Sequence, residues 1–164
     1  MTKTIPIEPL TREAFLEFGD VIEVTPDTSS HPINAGTTER FHDLATAIAT
    51  GEDARTIISI ARAQPFTLPL KLGMVERHPF GSQAFVPLKP TRFLIVVAPD
   101  EDGKPGKPRA FMAAPGQGIN YFLGTWHGVL TALDEVTDFL IVDRDGDGKN
   151  LETFDFDTPW SIEA

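Results

Sequence analysis

A chain of 164 residues with 24 acidic and 14 basic side chains carries a formal net charge of −10 and contains no cysteine. The missing thiols exclude a disulfide framework, a thiolate metal site and a cysteine nucleophile, and the negative surface repels phosphate backbones, so nucleic acid is not an expected partner. Hydrophobic residues at 41% and charged residues at 23% fit one globular domain over residues 1–164; with no run near the ~20 apolar residues of a membrane span and no apolar signal-peptide core behind Met1, a cytoplasmic protein without a membrane partner is expected.

The first predicted element is a short helix, capped by Thr11, formed by Arg12 to Phe18 and ended by Gly19. Its Ala14, Phe15 and Phe18 lie about one turn apart and can pack on a core. A second helical turn is expected from Leu44 to Ala49. Strands follow at 55–62, rich in β-branched residues, at 83–87, and at 92–98, whose nearly continuous apolar run reads as fully buried. Further strands are expected at 109–113, 119–123, 129–133 and 138–143, the last two joined by a hairpin turn at Asp134-Glu135. The 14 prolines and 13 glycines are spread along the chain and mark turns between short strands. Helices are too few for parallel crossovers, so the expected class is all-β with a short N-terminal helix, an antiparallel jelly-roll barrel.

Two segments carry candidate chemistry. In Glu76-Arg77-His78-Pro79-Phe80-Gly81-Ser82-Gln83, Glu76 and His78 share one strand face, and a hairpin through the Pro-Phe-Gly-Ser turn would return Gln83 beside them. In Gly124-Thr125-Trp126-His127, His127 follows a turn and precedes an apolar strand, and can face the barrel interior beside Trp126. In Arg40-Phe41-His42-Asp43, Asp43 either orients His42 as an acid–base pair or caps the following helical turn. Asp143-x-Asp145-x-Asp147-Gly148 copies the start of a calcium loop, but its twelfth position is Phe154 and a strand precedes it, so a solvated turn is expected.

The first two segments resemble the cupin barrel pattern, in which His-x-His-x4-Glu on one hairpin joins a later histidine to bind a metal. Here the motif reads Glu76-x-His78-x4-Gln83 with His127 as the later histidine. The resemblance implies a cupin-like barrel and a divalent metal held by Glu76, His78, Gln83 and His127, donors that suit nickel, zinc or manganese.

Longer stretches resemble the ureidoglycolate lyase family: Leu10-Thr11-x-x-Ala14-Phe15-x-x-Phe18-Gly19-Asp20, Ile33-Asn34-x-Gly36, Glu39-Arg40-Phe41-His42-Asp43-Leu44, Ile58-Ser59-Ile60-x-Arg62-Ala63-Gln64-Pro65, Glu76 to Pro87, Gly118-Ile119-Asn120-Tyr121, Trp126-His127 and Thr137 to Arg144. Phe122 and Gly128 stand where the family usually has histidines. The resemblance implies cleavage of ureidoglycolate to glyoxylate and urea in purine (allantoin) breakdown, by a homodimer. That chemistry needs a base, a proton donor and a carboxylate clamp. His78 or His127 is the expected base, Tyr121 a proton donor, and Glu76 and Gln83 the groups that orient the ureido N–H donors. Arg40 and Arg62 are candidates for the clamp, with Ser59 a further substrate-binding candidate. Two other classes fit the same residues: another cupin enzyme acting on a small acid, and a non-catalytic small-molecule-binding cupin.

Overall fold

Strand β8 (Phe93–Ala98) is buried at every residue, which an alternating side-chain pattern allows only if both faces of the strand are covered. The computed structural model, which describes residues 3–164, shows two different covers. Met1 and Thr2, where the reading of the N-terminus begins, lie outside it. The chain runs through β1 (Lys3–Pro9), the single helical turn α1 (Arg12–Phe15), β2 (Gly19–Ile22), β3 (His31–Ile33), β4 (Thr38–Arg40), β5 (Arg55–Ala63), β6 (Leu70–Arg77) and β7 (Gln83–Pro87) before β8. After it come β9 (Asp100–Glu101), β10 (Lys104–Pro105), β11 (Arg109–Ala113), β12 (Gly118–Tyr121), β13 (Trp126–His127), β14 (Thr131–Ala132), β15 (Thr137–Asp145) and β16 (Glu152–Glu163).

Strands β11, β1, β16, β6, β13 and β8 pair in that order, and the β11–β8 pairing closes them into a six-stranded ring. Leu94, Val96 and Ala98 point into the ring with Ile5, Leu72, Trp126 and Ile162. Phe93, Ile95 and Val97 point outward and pack against the five-stranded sheet β2-β12-β7-β15-β5, on Val21, Ile119, Phe85 and Phe139. The all-β, cupin-like barrel expected from the sequence is therefore present, with one sheet laid on the outer wall of the ring. Thr11 does cap α1, its hydroxyl accepting from the Ala14 N–H at 3.2 Å.

Several elements differ from expectation. The helix ends at Phe15, not Phe18. Gly19 serves the sheet instead: a Cβ there would collide with the Asn120 carbonyl of the adjoining strand. Leu44 to Ala49 forms no helical turn, Ala49 instead bridging to Gly81, and Asp43 sits at φ 56°, outside any N-cap geometry. Asp134-Glu135 is not a hairpin turn, because β14 pairs with β8 while β15 belongs to the other sheet. The barrel is not purely antiparallel: β1 runs parallel to both β11 and β16. No helix among the described residues is long and apolar enough to cross a membrane.

Phe139 is fully buried at the seam, its ring edge-on to Phe93 at 5.1 Å. Phe139→Ala is expected to cost roughly 3–5 kcal/mol through lost transfer energy and a residual cavity, read as a lower midpoint in urea unfolding with an unchanged slope.

Candidate active site

The pairing of β13 with both β6 and β8 places His127 directly opposite Glu76 on one side and Val97 on the other. Directly paired residues share a sheet face, so Glu76 and His127 leave the outer wall of the ring toward the five-stranded sheet, while Trp126 points inward. His78 follows one residue after β6 ends. One ligand atom from each of Glu76, His78 and His127 lies within 4.8 Å of the others, and the His78 Nε2 to Glu76 Oε1 distance is 4.0 Å. The site is thus in the seam between ring and sheet, not inside the closed ring.

Both imidazoles are fixed in the same tautomer. His78 Nδ1 lies 2.9 Å from the Asn150 carbonyl oxygen, and His127 Nδ1 lies 2.8 Å from that of Gly128. A carbonyl only accepts, so each Nδ1 carries a hydrogen, and in the neutral ring the lone pair is then on Nε2. Both Nε2 atoms are buried without a partner. Two converging buried acceptors beside a carboxylate need an electron-poor partner, a cation or a substrate hydrogen.

Tyr121, from β12 of the facing sheet, lies flat on His127 with ring centroids 4.3 Å apart and planes 7° from parallel. Burial pushes the Tyr121 phenol well above its ordinary value, and the Glu76 charge adds to this, so the hydroxyl stays protonated as a donor. Burial lowers His127 to about 4; the Gly128 carbonyl opposes this and repulsion from His78 adds to it. His127 is accordingly neutral near pH 7 and a weaker base than a free imidazole.

Gln83 reaches the site by a different route from the one its spacing suggests. The turn after His78 crosses between sheets, so Gln83 lies on β7 in register with Tyr121. Its Nε2 donates to Asp143 Oδ2 at 3.1 Å, which settles the amide orientation. Ser59 lies in register with Ile141 on β15 and shares its face. Arg62 points the other way: it forms a two-pronged ion pair with Asp138 at 2.8 and 3.0 Å on the outer face and does not serve the site. Arg40 is exposed on the β3–β4 hairpin, which pairs only within itself, and the fold does not bring it to the cluster. His42 packs edge-on to His31 at 5.9 Å beside a cleft of about 300 Å³, and the Asp43 carboxylate accepts from Thr46. In the aspartate-rich turn, Asp145 pairs with Arg55 and the Asp147 carbonyl accepts from Arg144.

The anchors Asn150 and Asp143 were not singled out in the sequence. Asn150 acts through a backbone carbonyl, which no side-chain pattern reports. Asp143 entered the sequence reading as the first residue of the calcium-like run and within the stretch Thr137 to Arg144, in neither case as a partner of Gln83. The two departures from the family pattern adjoin the cluster in sequence, but neither side-chain position is one of its three converging groups. A Cβ on Gly128 would meet Leu72 and Val96 at 3.4 Å, inside the ring. Phe122 is 38% exposed on a groove with Glu17, Asp100 and Leu123.

The family model described as ureidoglycolate lyase matches residues 2–163. The chain belongs to this family. It is 60% identical over 160 residues to a ureidoglycolate lyase of a Chelativorans species, covering 98% of this chain and 96% of that protein. It is 61% identical over 158 residues to one from Mesorhizobium japonicum, covering 96% of each. A protein of Rhizobium meliloti named ureidoglycolate lyase 2 is 51% identical over 159 residues, covering 97% of each.

A neutral His127 links folding to pH. Its folded value near 4 lies below the ordinary 6.5, so between these values the unfolded chain binds more protons and stability falls as pH falls. In chelator, unfolding free energy is expected to drop by up to ~3 kcal/mol from pH 7 to pH 4 on account of His127. His127→Gln, measured by urea unfolding across that range, should flatten this part of the profile.

Proposed function

We propose that this member of the ureidoglycolate lyase family cleaves ureidoglycolate to glyoxylate and urea, a carbon–nitrogen lyase reaction of the amidine-lyase class in the breakdown of allantoin. Family membership supports the substrate. The observation that carries the chemistry is the pair of buried, unpartnered Nε2 atoms of His78 and His127 converging with the Glu76 carboxylate.

The donor set fits a divalent cation such as nickel or zinc: two neutral imidazoles with lone pairs aimed together, each locked by a carbonyl behind it, and one carboxylate. Glu76, His78 and His127 would hold it, and when bound it would lower the pKa of the substrate hydroxyl. A carboxylate has two oxygens and about four lone-pair sites, so Glu76 can contribute to the cluster through one oxygen and accept the hydroxyl proton on the other. In this reading the carboxylate takes the role of base in place of His78 or His127, since holding a cation would engage both imidazoles. As the hydroxyl proton passes to Glu76, the carbon–oxygen double bond forms and the carbon–nitrogen bond breaks, and the proton taken up by Glu76 then passes to the departing urea nitrogen, which restores the carboxylate. The Tyr121 hydroxyl, kept protonated by burial, would donate a hydrogen bond to the substrate. The Gln83 oxygen, freed because its nitrogen is tied to Asp143, accepts from a ureido N–H.

We also propose a homodimer. The unpaired edge of β5, with Ile58 72% and Ile60 63% exposed, and the self-contained β3–β4 hairpin support it. The segment Phe154-Asp155-Phe156 offers no free edge, since Phe154 and Asp155 pair with β6 of their own chain and both phenylalanines pack against the ring core.

Incubation with ureidoglycolate, with urea, ammonia and glyoxylate assayed separately, is expected to give urea and glyoxylate in equal amounts. Release of ammonia in place of urea would overturn the lyase reading. His78→Ala is expected to slow urea release roughly 100-fold or more and to abolish tight uptake of nickel or zinc in calorimetry. Undiminished uptake would remove His78 from the metal cluster. Sedimentation velocity should give one species at twice the chain mass.

A further inference from the structure

We propose that the Thr153 hydroxyl donates a hydrogen bond to the substrate carboxylate at the mouth of the seam, an inference that rests on the ureidoglycolate reading above. Strand β6 is paired along both edges. Glu76 stands opposite His127 on β13 and opposite Thr153 on β16. Directly paired residues share a face, with Cβ atoms ~4.5–5.5 Å apart. Thr153, Glu76, His127 and Val97 therefore form one row across the outer wall of the ring. The next residue confirms the direction. Phe154 packs against the ring core, edge-on to the inward-pointing Trp126 at 6.4 Å, so Thr153 points the other way. The segment just before Thr153 is also tied to the site: Asn150 accepts from His78 Nδ1 through its carbonyl and from the Phe80 N–H through Oδ1.

Exposure rises along this row. Val97 and His127 are buried, at 0% and 3%, the Glu76 side chain is 25% exposed, and Thr153 is exposed. The seam thus opens toward β16, and Thr153 is the first side chain on the solvent side of Glu76. In the substrate the hydroxyl and the carboxylate sit on the same carbon. With the hydroxyl on Glu76, the carboxylate lies beside it, and as the group most costly to dehydrate it faces the open end of the row, where Thr153 stands.

The nearby guanidinium groups are engaged elsewhere. Arg77 is held between Asp100 and Glu152 over the Trp126 ring, and Arg144 donates to the carbonyls of Thr50, Glu52 and Asp147. Arg55 and Arg62 pair with Asp145 and Asp138. The hydroxyls of Thr125, Thr131 and Thr137 donate to backbone carbonyls, whereas that of Thr153 has no such partner among the described residues. A β-branched side chain is stiff at χ1, so little freedom is lost when its hydroxyl meets a ligand. Thr153 supplies direction and not charge, which the cation fitted by the cluster would provide.

The test compares wild type, Thr153→Val and Thr153→Ser, with Thr158→Val as a control elsewhere on β16, within the irregular stretch that does not pair with β6. Valine keeps the shape and strand preference of threonine without the hydroxyl. Steady-state urea release gives KM and kcat. Calorimetry on nickel-loaded, dialysed protein uses glycolate, which carries the hydroxyl and carboxylate without the ureido group and is not turned over. Thr153→Val is expected to raise KM and weaken glycolate binding roughly tenfold, with kcat within about threefold, since the carboxylate keeps its charge from ground to transition state. Thr153→Ser should stay within about threefold of wild type in both, and Thr158→Val should match wild type. Unchanged glycolate affinity in Thr153→Val overturns the assignment. So does a loss of equal size in Thr153→Ser or in Thr158→Val, which would trace the effect to something other than this hydroxyl. A wild-type protein that releases no urea overturns the functional reading instead. The glycolate titration then decides Thr153 alone: weakening in Thr153→Val supports the assignment, and equal affinity, or no binding to wild type, ends it.

Discussion

Every feature of the site depends on β8 having no solvent face. Its even-numbered residues fill the closed ring and its odd-numbered residues support the five-stranded sheet. A strand shared by two cores cannot slip by one residue without exchanging all its buried side chains between them. That register is passed to β13, where Trp126 is paired with Ala98 and His127 with Val97. The direction of His127 is therefore set by hydrophobic packing on a neighbouring strand, and Glu76 follows from its pairing with His127.

The electrostatics follow from that placement. Burial alone would leave an imidazole in either tautomer. The carbonyls of Asn150 and Gly128 select one for each ring, and both selections send the lone pair into the same small volume. One anchor lies immediately next in sequence to its histidine and the other is 72 residues away on the connection between β15 and β16. The closure of β16 onto β6 and β1 brings that distant anchor home, so the approach to the C-terminal strand orients His78 through a backbone group.

Much of this was legible in the sequence, and the failures have physical causes. The run 92–98 could be read as doubly buried because nothing polar interrupts it. Strands β1, β6 and β16 were missed because their residues satisfy ring partners, not an alternation. Pro6 and Pro9 interrupt β1, Lys71 and Gly73 interrupt β6, and Glu152, Asp155, Asp157, Pro159 and Glu163 stud β16 around an irregularity between Asp155 and Trp160. Glu76, His78 and His127 were found from their spacing and side chains. The route of Gln83 was not, since a local hairpin and a crossing between sheets leave the same turn residues.

The two faces of β5 show how a period-two pattern can mislead. The outer face carries Ile58 and Ile60, both well exposed in the single chain, while the inner face carries Arg55, Ile57, Ser59, Ala61 and Ala63. By hydrophobicity alone the outer face looks like the core face, which turns Arg62 inward and Arg55 outward, the reverse of the register. Ala63 packs against the core beside Phe139 and needs little volume there, while the edge position leaves Ile58 and Ile60 uncovered within the single chain. Burial on an edge strand is thus set by what lies over each face, which the strand's own residues do not report.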